Sequence, residues 1–524
     1  SLHDALPISM KRTLALVLAL VMLMACLTGC STKGEQTSPA AEASTENTTN
    51  ETNASESTAG EVTNIVVLQR GGENQTGEAD VIAALNAYSA EKIGVTITFK
   101  ALAAAEYPEA LSRMIAAKDD LDVCFCASYT GFAELVAKGG LMDITDYIHS
   151  DTYKDLYNTM PETIWEAASV DGRNYCVTNY KETPFISTIV TPVALADTIK
   201  EKYGIDFNTI ELGSYRDLPA LEPYLQACKD EGVKYPALTN EVDMFLGALL
   251  MSDTEYELIG TDRFMPYVMN KQTHKVSNLF ANPDFTDWFE TMTRWNELGF
   301  WTEDNIPMDW NPRDQWPLDT WGIYPQNGIP DNAAQQSVSM GQPVYSLDIG
   351  EPTISASGAL GSTWCITSYS PKAEAAMKWI NLIETDKTYA DMMVYGVEGV
   401  NYTRDSEDVV TKIPDSGWSM GRWKSCNFEI ASITSEDSPD LKQKYRDFNN
   451  AGVLAELASF SPDYTNMESE MAAVKAVLTE VYHLYTLGFM TTADLPDTVA
   501  RFEAAGDATM IRELQKQIDA YFAG

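Results

Sequence analysis

TNIVVLQRGGENQTGEADVIAALNAYSAEKIGVTITFKAL, residues 63–102, decides the fold class. It opens on a continuous apolar run, IVVL, of the kind required of a strand covered on both faces. A glycine-rich loop, QRGGENQ, follows. DVIAALNAYSAEKIG (80–94) then carries apolar residues at helical spacing until Gly94 stops it. VTITFKAL (95–102) is a second strand with alternation. Strand, helix and strand in that order form a βαβ unit, so the sheet is parallel and the class is α/β.

The pattern continues outward. EYPEALSRMIAAKDD (106–120) is a second helix and LDVCFCAS (121–128) a third, buried strand. FAELVAKGGLMDITDYI (132–148) is a helix stopped at Gly139-Gly140. In WEAASVDGRNYCVTN (165–179), Asp171-Gly172 signals a turn between a helix and an extended strand. Residues 180–315 are mixed, with helices in LPALEPYLQACKDEGV (218–233) and FTDWFETMTRWNELGF (285–300). Beyond Gly361 the chain is strongly helical. PKAEAAMKWINLIETDKTYADMMVYG (371–396) reads as two helices broken near Thr385-Asp386. MESEMAAVKAVLTEVYHLYTLGF (467–489) and ATMIRELQKQIDAYF (508–522) close the chain.

Ahead of residue 62 the composition changes. Residues 1–9, SLHDALPIS, read as a non-native scar before a start at Met10. Lys11, Arg12 and the apolar run from Leu14 to Leu27 make a signal peptide over 10–29. The run is too short to cross a bilayer, which takes about 20 apolar residues. It ends Leu27-Thr28-Gly29-Cys30, which resembles a bacterial lipobox, where small residues thread the processing site and a thiol is acylated. Cys30 is therefore expected to become a lipidated N-terminus that anchors the protein to the membrane. Residues 30–61 follow as a disordered tether; after Cys30 they contain no aromatic residue, Leu, Ile or Val. Such a tether reaches about 30 Å.

About 460 residues remain, enough for two lobes. A formal charge of −40 argues against nucleic acid and against an anionic membrane surface as partners. Of eight cysteines, Cys26 leaves with the signal and Cys30 is lipidated. The other six have no repeated C-x-x-C and histidines number four, so no metal centre and no cofactor are expected. Cys124 and Cys126 read as buried apolar thiols.

Several motifs occur in a fixed order: DVCF (122–125), AKGG (137–140), LMDIT (141–145) and VDGRNY (170–175). LGSTWCI (360–366), SPKAEAAM (370–377), YGVEGVNY (395–402) and IRELQKQ (511–517) follow. Together they resemble the large extracellular solute-binding lipoproteins of ABC importers, sugar-type, over nearly all of the chain after residue 62. QRGGENQ and the cysteine-rich CFCAS depart from that pattern. The resemblance implies a two-lobe periplasmic-binding-protein-like fold (type II), with lobes joined by hinge strands and a helical C-terminal part. On that reading the N-lobe is 62–178 with about 316–358, and the C-lobe is 179–315 with about 359–524. It also implies a lipid-anchored monomer on the extracytoplasmic face of the bacterial cell membrane, serving an ABC permease.

In open α/β sheets ligands bind beyond the carboxyl ends of strands. The residues placed there are Tyr129, Asn179, Tyr180, Glu182, Trp321, Tyr324 and Trp364, with Glu398 and Tyr402 as further candidates. Aromatic rings cover the C–H face of a sugar, while amides and carboxylates pair with its hydroxyl rim. The expected solute is a carbohydrate, an oligosaccharide above all; oligopeptide is the alternative. The chain contains no H-E-x-x-H, Walker or EF-hand motif. No catalytic residue is expected, although a secreted, surface-anchored glycoside hydrolase is a further alternative.

Overall fold

The computed structural model describes residues 62–238, 249–250, 252–259, 265–301 and 320–523. The scar, the signal peptide, Cys30 and the tether lie outside the described residues. Ten strands build two sheets: β1 (Thr63–Arg70), β2 (Val95–Leu102), β3 (Val123–Cys126), β4 (Val177–Thr178), β5 (Phe185–Pro192), β6 (Tyr235–Ala237), β7 (Trp321–Asn327), β8 (Val344–Ile354), β9 (Thr363–Ile366) and β10 (Val453–Leu454).

The first sheet has the order β2-β1-β3-β9-β4. β1 pairs parallel with β2 from Thr63↔Val95 to Arg70↔Leu102, and parallel with β3. The helix between β1 and β2, Glu78–Ile93, ends where Gly94 takes φ 67, as the βαβ reading predicts. β9 runs antiparallel between β3 and β4. Ile65, Val67, Val123, Phe125, Trp364 and Ile366 in these strands are fully buried, in one hydrophobic core. Burial on both faces is the reason these segments show continuous apolar runs instead of alternation.

The second sheet has the order β10-β8-β5-β7-β6. β5 lies antiparallel between β7 and β8. A second core covers it, shared with the helices Glu468–Thr486, Leu495–Ala504 and Asp507–Ala523 through Leu478, Phe502, Leu514 and Ile518. Among the described residues no helix is long and apolar enough to cross a membrane.

The lobe boundaries expected from sequence require correction. β7 and β8, within 316–358, hydrogen-bond β5 of the second sheet and not the first. Conversely β9 and the helices Ala373–Thr385 and Lys387–Tyr395 belong with the first sheet and its core. Short strands bury equally well against either neighbour, so hydrophobic pattern alone leaves their partner open.

The ordered motifs are explained by their contacts. Asp122 of DVCF, almost wholly buried, accepts from Val66 N at 2.8 Å and from Ser370 Oγ at 2.6 Å. It also pairs with Lys372 Nζ at 3.0 Å. The carboxylate thereby ties β1 to the SPK turn at the start of the helix Ala373–Thr385. Asp143 of LMDIT accepts from Thr145 N at 3.0 Å and pairs with Arg173 of VDGRNY. Asp171 (φ 51) and Gly172 (φ 72) make the predicted turn.

Three crossings join the lobes: residues 179–184, residues 355–362, and the helix Leu441–Ala451 leading into β10. They are laced together. Asn179 Nδ2 donates to Ser362 Oγ at 2.8 Å and Thr178 Oγ1 to the Ala359 carbonyl at 2.9 Å. Thr183 N donates to Asn449 Oδ1 at 2.9 Å, and Asn449 Nδ2 donates to the Lys181 carbonyl at 2.9 Å. A Cβ on Gly358 would lie 2.2 Å from the Thr183 carbonyl, and one on Gly452 2.5 Å from Pro184.

Candidate functional site

The carboxyl ends of β1, β3 and β4 share one edge of the first sheet, and the interlobe crossings start there. Two rings on that edge face outward. Tyr129, in the turn Ser128–Thr130 after β3, is 47% exposed; Trp423, in the turn Arg422–Lys424, is 39% exposed. Trp423 meets Phe125 of β3 edge-on, with centroids 6.2 Å apart. The Arg70 guanidinium, at the end of β1, lies 5.2 Å from the centre of the Tyr129 ring. Burial raises the Tyr129 phenol to about 12, against the opposing effect of Arg70. The phenol is thus a neutral donor and acceptor at physiological pH.

The QRGGENQ loop, unmatched to any motif in the sequence, holds this edge together. Gly72 (φ 89) is so close to Met420 that a Cβ would sit 2.5 Å from its sulfur. Gln75 donates to the Gly72 carbonyl at 3.1 Å and accepts from Ser419 N at 2.6 Å. Gln69 Nε2 donates to the Lys424 carbonyl at 3.1 Å, and Lys424 Nζ to the Arg70 carbonyl at 2.9 Å. The loop after β1 therefore carries the segment that presents Trp423 and Lys424. Burial, and then the Arg70 charge, lower the Lys424 ammonium below its ordinary range.

Beside this edge a cavity of about 200 Å³ separates the lobes. The first lobe contributes Val394, Met420, Gly421 and Arg422; the second contributes Asp331, Gln335 and Val338 from the start and body of the helix Asn332–Met340. Arg422 is held by Asp437 at 2.8 Å and Asp331 by Lys444 at 3.0 Å. Among the described residues no group of histidine, cysteine or acidic side chains is placed to hold a metal ion.

Of the residues singled out in the sequence, Tyr129 alone presents an exposed ring at this edge. Trp364 is fully buried, edge-on to Phe125 and Trp379 in the first core; a central strand has no outward face. Trp321 and Tyr324 are buried against each other in the second lobe. Tyr402 is buried and takes a hydrogen bond from Arg404 at 3.1 Å, while exposed Glu398 also pairs with Arg404. Both belong to the charge cluster of Arg404 and Asp391. Asn179, Tyr180 and Glu182 lie in the first crossing: Asn179 bonds Ser362, the Tyr180 carbonyl accepts from Phe428 N, and Glu182 pairs with Lys181. Trp423 was missed. Its only signal is an aromatic between two cations, Arg422-Trp423-Lys424, in a glycine-flanked loop between helices.

The comparisons with known proteins come to the same architecture. A carbohydrate ABC transporter substrate-binding protein from Streptococcus pneumoniae serotype 4 is 20% identical over 477 residues, 87% of this chain and 91% of the relative. The crystal structure of the N-glycan transport solute binding protein NgtS from Streptococcus pneumoniae superposes with a TM-score of 0.75 at 19% identity, covering 88% of this chain and 99% of that one. The fold is that of the two-lobe solute-binding proteins. Within this solute-binding fold, residues 456–523 match a domain of unknown function, DUF3502, which is the helical C-terminal part packed in the second core. NgtS in complex with Man1GlcNAc superposes with a TM-score of 0.68 at 19% identity, over 88% of this chain and 100% of that one. The resemblance to solute-binding proteins of ABC importers, read from the ordered motifs, is thus the one that comparison of whole chains returns.

Proposed function

We propose that the chain is the substrate-binding component of a carbohydrate ABC importer, capturing an oligosaccharide between its lobes and passing it unchanged to a membrane permease. The observation that carries this reading is the pair of exposed rings, Tyr129 and Trp423, on the sheet edge that borders the interlobe gap. Each offers an apolar face to a sugar ring, with Arg70, Lys424 and Glu73 at hand for hydroxyls. The relative's designation as carbohydrate-binding and the Man1GlcNAc complex of NgtS support the same class of ligand. The lobes close by bending at residues 179–184, 355–362 and 449–452. Lipidation at Cys30 anchors the protein to the outer face of the membrane; surface retention of a Cys30→Ser chain would contradict that part.

The test is thermal unfolding of the full chain with mannose- and N-acetylglucosamine-containing oligosaccharides. A ligand at 100 times its Kd stabilises the fold by about 2.7 kcal/mol, and it should be recovered intact. A broad glycan panel that leaves the melting temperature unmoved would contradict the reading.

A further inference from the structure

The chain carries an excess of 40 acidic charges, and in the first lobe its buried or half-buried cations are matched to acids. Lys372 pairs with Asp122 at 3.0 Å, Arg404 with Asp391 at 2.9 Å and Arg422 with Asp437 at 2.8 Å. Arg70 and Lys424 depart from this pattern, as does Lys442, whose Nζ donates to the Glu429 carbonyl at 2.8 Å. Among the described residues neither Arg70 nor Lys424 forms an ion pair, although both are half-buried and lie side by side, Lys424 Nζ resting on the Arg70 carbonyl. The Arg70 Nε is buried with no acceptor among the described residues. Glu73 is near enough for its charge to act on Lys424 but makes no ion pair with it. Two adjacent cations without a counter-ion, in a chain this acidic, are costly to hold unless an anion completes them. Arg70 lies against the Tyr129 ring and Lys424 follows Trp423 in the chain, at the edge where the proposed ligand lies.

We infer that Arg70 and Lys424 form a subsite for the carboxylate of an acidic sugar, so that the ligand stacked on Tyr129 and Trp423 carries a sialic or uronic acid residue. The inference rests on the carbohydrate reading above and narrows it. A guanidinium presents planar paired donors that match a carboxylate, and an adjacent ammonium adds a point charge. The overall negative charge of the protein then acts as a filter: acidic glycans are repelled everywhere except at this edge.

Calorimetric titration of the full chain tests this with four probes. These are a sialylated N-glycan, the same glycan after desialylation, a uronate oligosaccharide, and a neutral hexose oligosaccharide of the same length. The expected result is that one acidic probe binds at least about tenfold more tightly than its neutral counterpart, in line with a charge-assisted hydrogen bond. Whichever acidic probe wins identifies the source of the carboxylate. The preference should shrink as salt is raised. In Arg70→Gln/Lys424→Gln the ratio of acidic to neutral affinity should fall to about one, and Arg70→Lys should restore part of it. Equal affinity for acidic and neutral probes in the wild-type chain would overturn this inference while leaving the carbohydrate reading in place. Binding of none of the four would overturn both. A preference unchanged in the folded double variant would also overturn it.

Discussion

At the scale of the residue, two tryptophans show how position decides role. Trp364 is fully buried between Phe125 and Trp379; Trp423 is 39% exposed above the same Phe125. Trp364→Ala should cost about 3–5 kcal/mol of stability by leaving a cavity. Trp423→Ala should cost less, about 1 kcal/mol from the lost edge-on contact with Phe125, yet weaken glycan binding about tenfold, through the lost stacking face. Urea unfolding and calorimetry on the two variants separate the effects, and a reversal of the pattern would contradict the site. Glu257 gives a second residue-level prediction. Its burial raises the carboxyl from 4.5 to about 7, with Leu457 N and Glu456 N donating to it. Between pH 4.5 and 7 the folded chain keeps a proton that the unfolded chain has released. Stability therefore falls as the pH rises through that window, by about 3 kcal/mol from this group. Glu257→Gln should remove this fall, measured as the difference in unfolding free energy at pH 5 and pH 7.5; an identical pH slope in both proteins would refute the assignment. Sequence reading found Tyr129 because it follows a strand with a strong apolar signal. Trp423 lies in an irregular loop whose place is fixed by Gly72, Gln69 and Gln75, more than 340 residues away, and no local pattern encodes that contact.

At the scale of the element, the β1–helix–β2 unit was legible because each piece follows from local physics: IVVL buried on both faces, helical spacing after the loop, and Gly94 in the left-handed region. The two helices divided at Thr385-Asp386 were legible for the same reason, and Asp386 caps the second by accepting from Tyr389 N at 3.0 Å. The crossings were not, because they depend on close approaches between segments far apart in sequence. Gly358 is the sharpest case, with the Thr183 carbonyl where a Cβ would be. Gly358→Ala should push residues 179–184 and 355–362 apart. We expect a loss of about 1–3 kcal/mol of stability and a weaker ligand-induced closure. A variant that matches wild type in both unfolding and glycan affinity would show that the crossings tolerate separation.

At the scale of the whole molecule, the sequence pointed to two α/β lobes but placed 316–358 and 359–430 on the wrong sides. β7 and β8 complete the second sheet around β5, and β9 completes the first between β3 and β4. The exchange moves the candidate site: Trp364 becomes a core residue of the first lobe, and the segment 417–424 becomes one wall of the interlobe gap, opposite the helix Asn332–Met340. On the proposed reading, a sugar between the lobes is positioned by the first-sheet edge with Tyr129 and Trp423, the gap beside it, and crossings that bend. Small-angle scattering from the full chain, with and without a glycan shown by calorimetry to bind, tests that arrangement most directly. A smaller radius of gyration in the glycan-saturated sample is the predicted result; an identical radius with the glycan bound would contradict closure of the lobes around it.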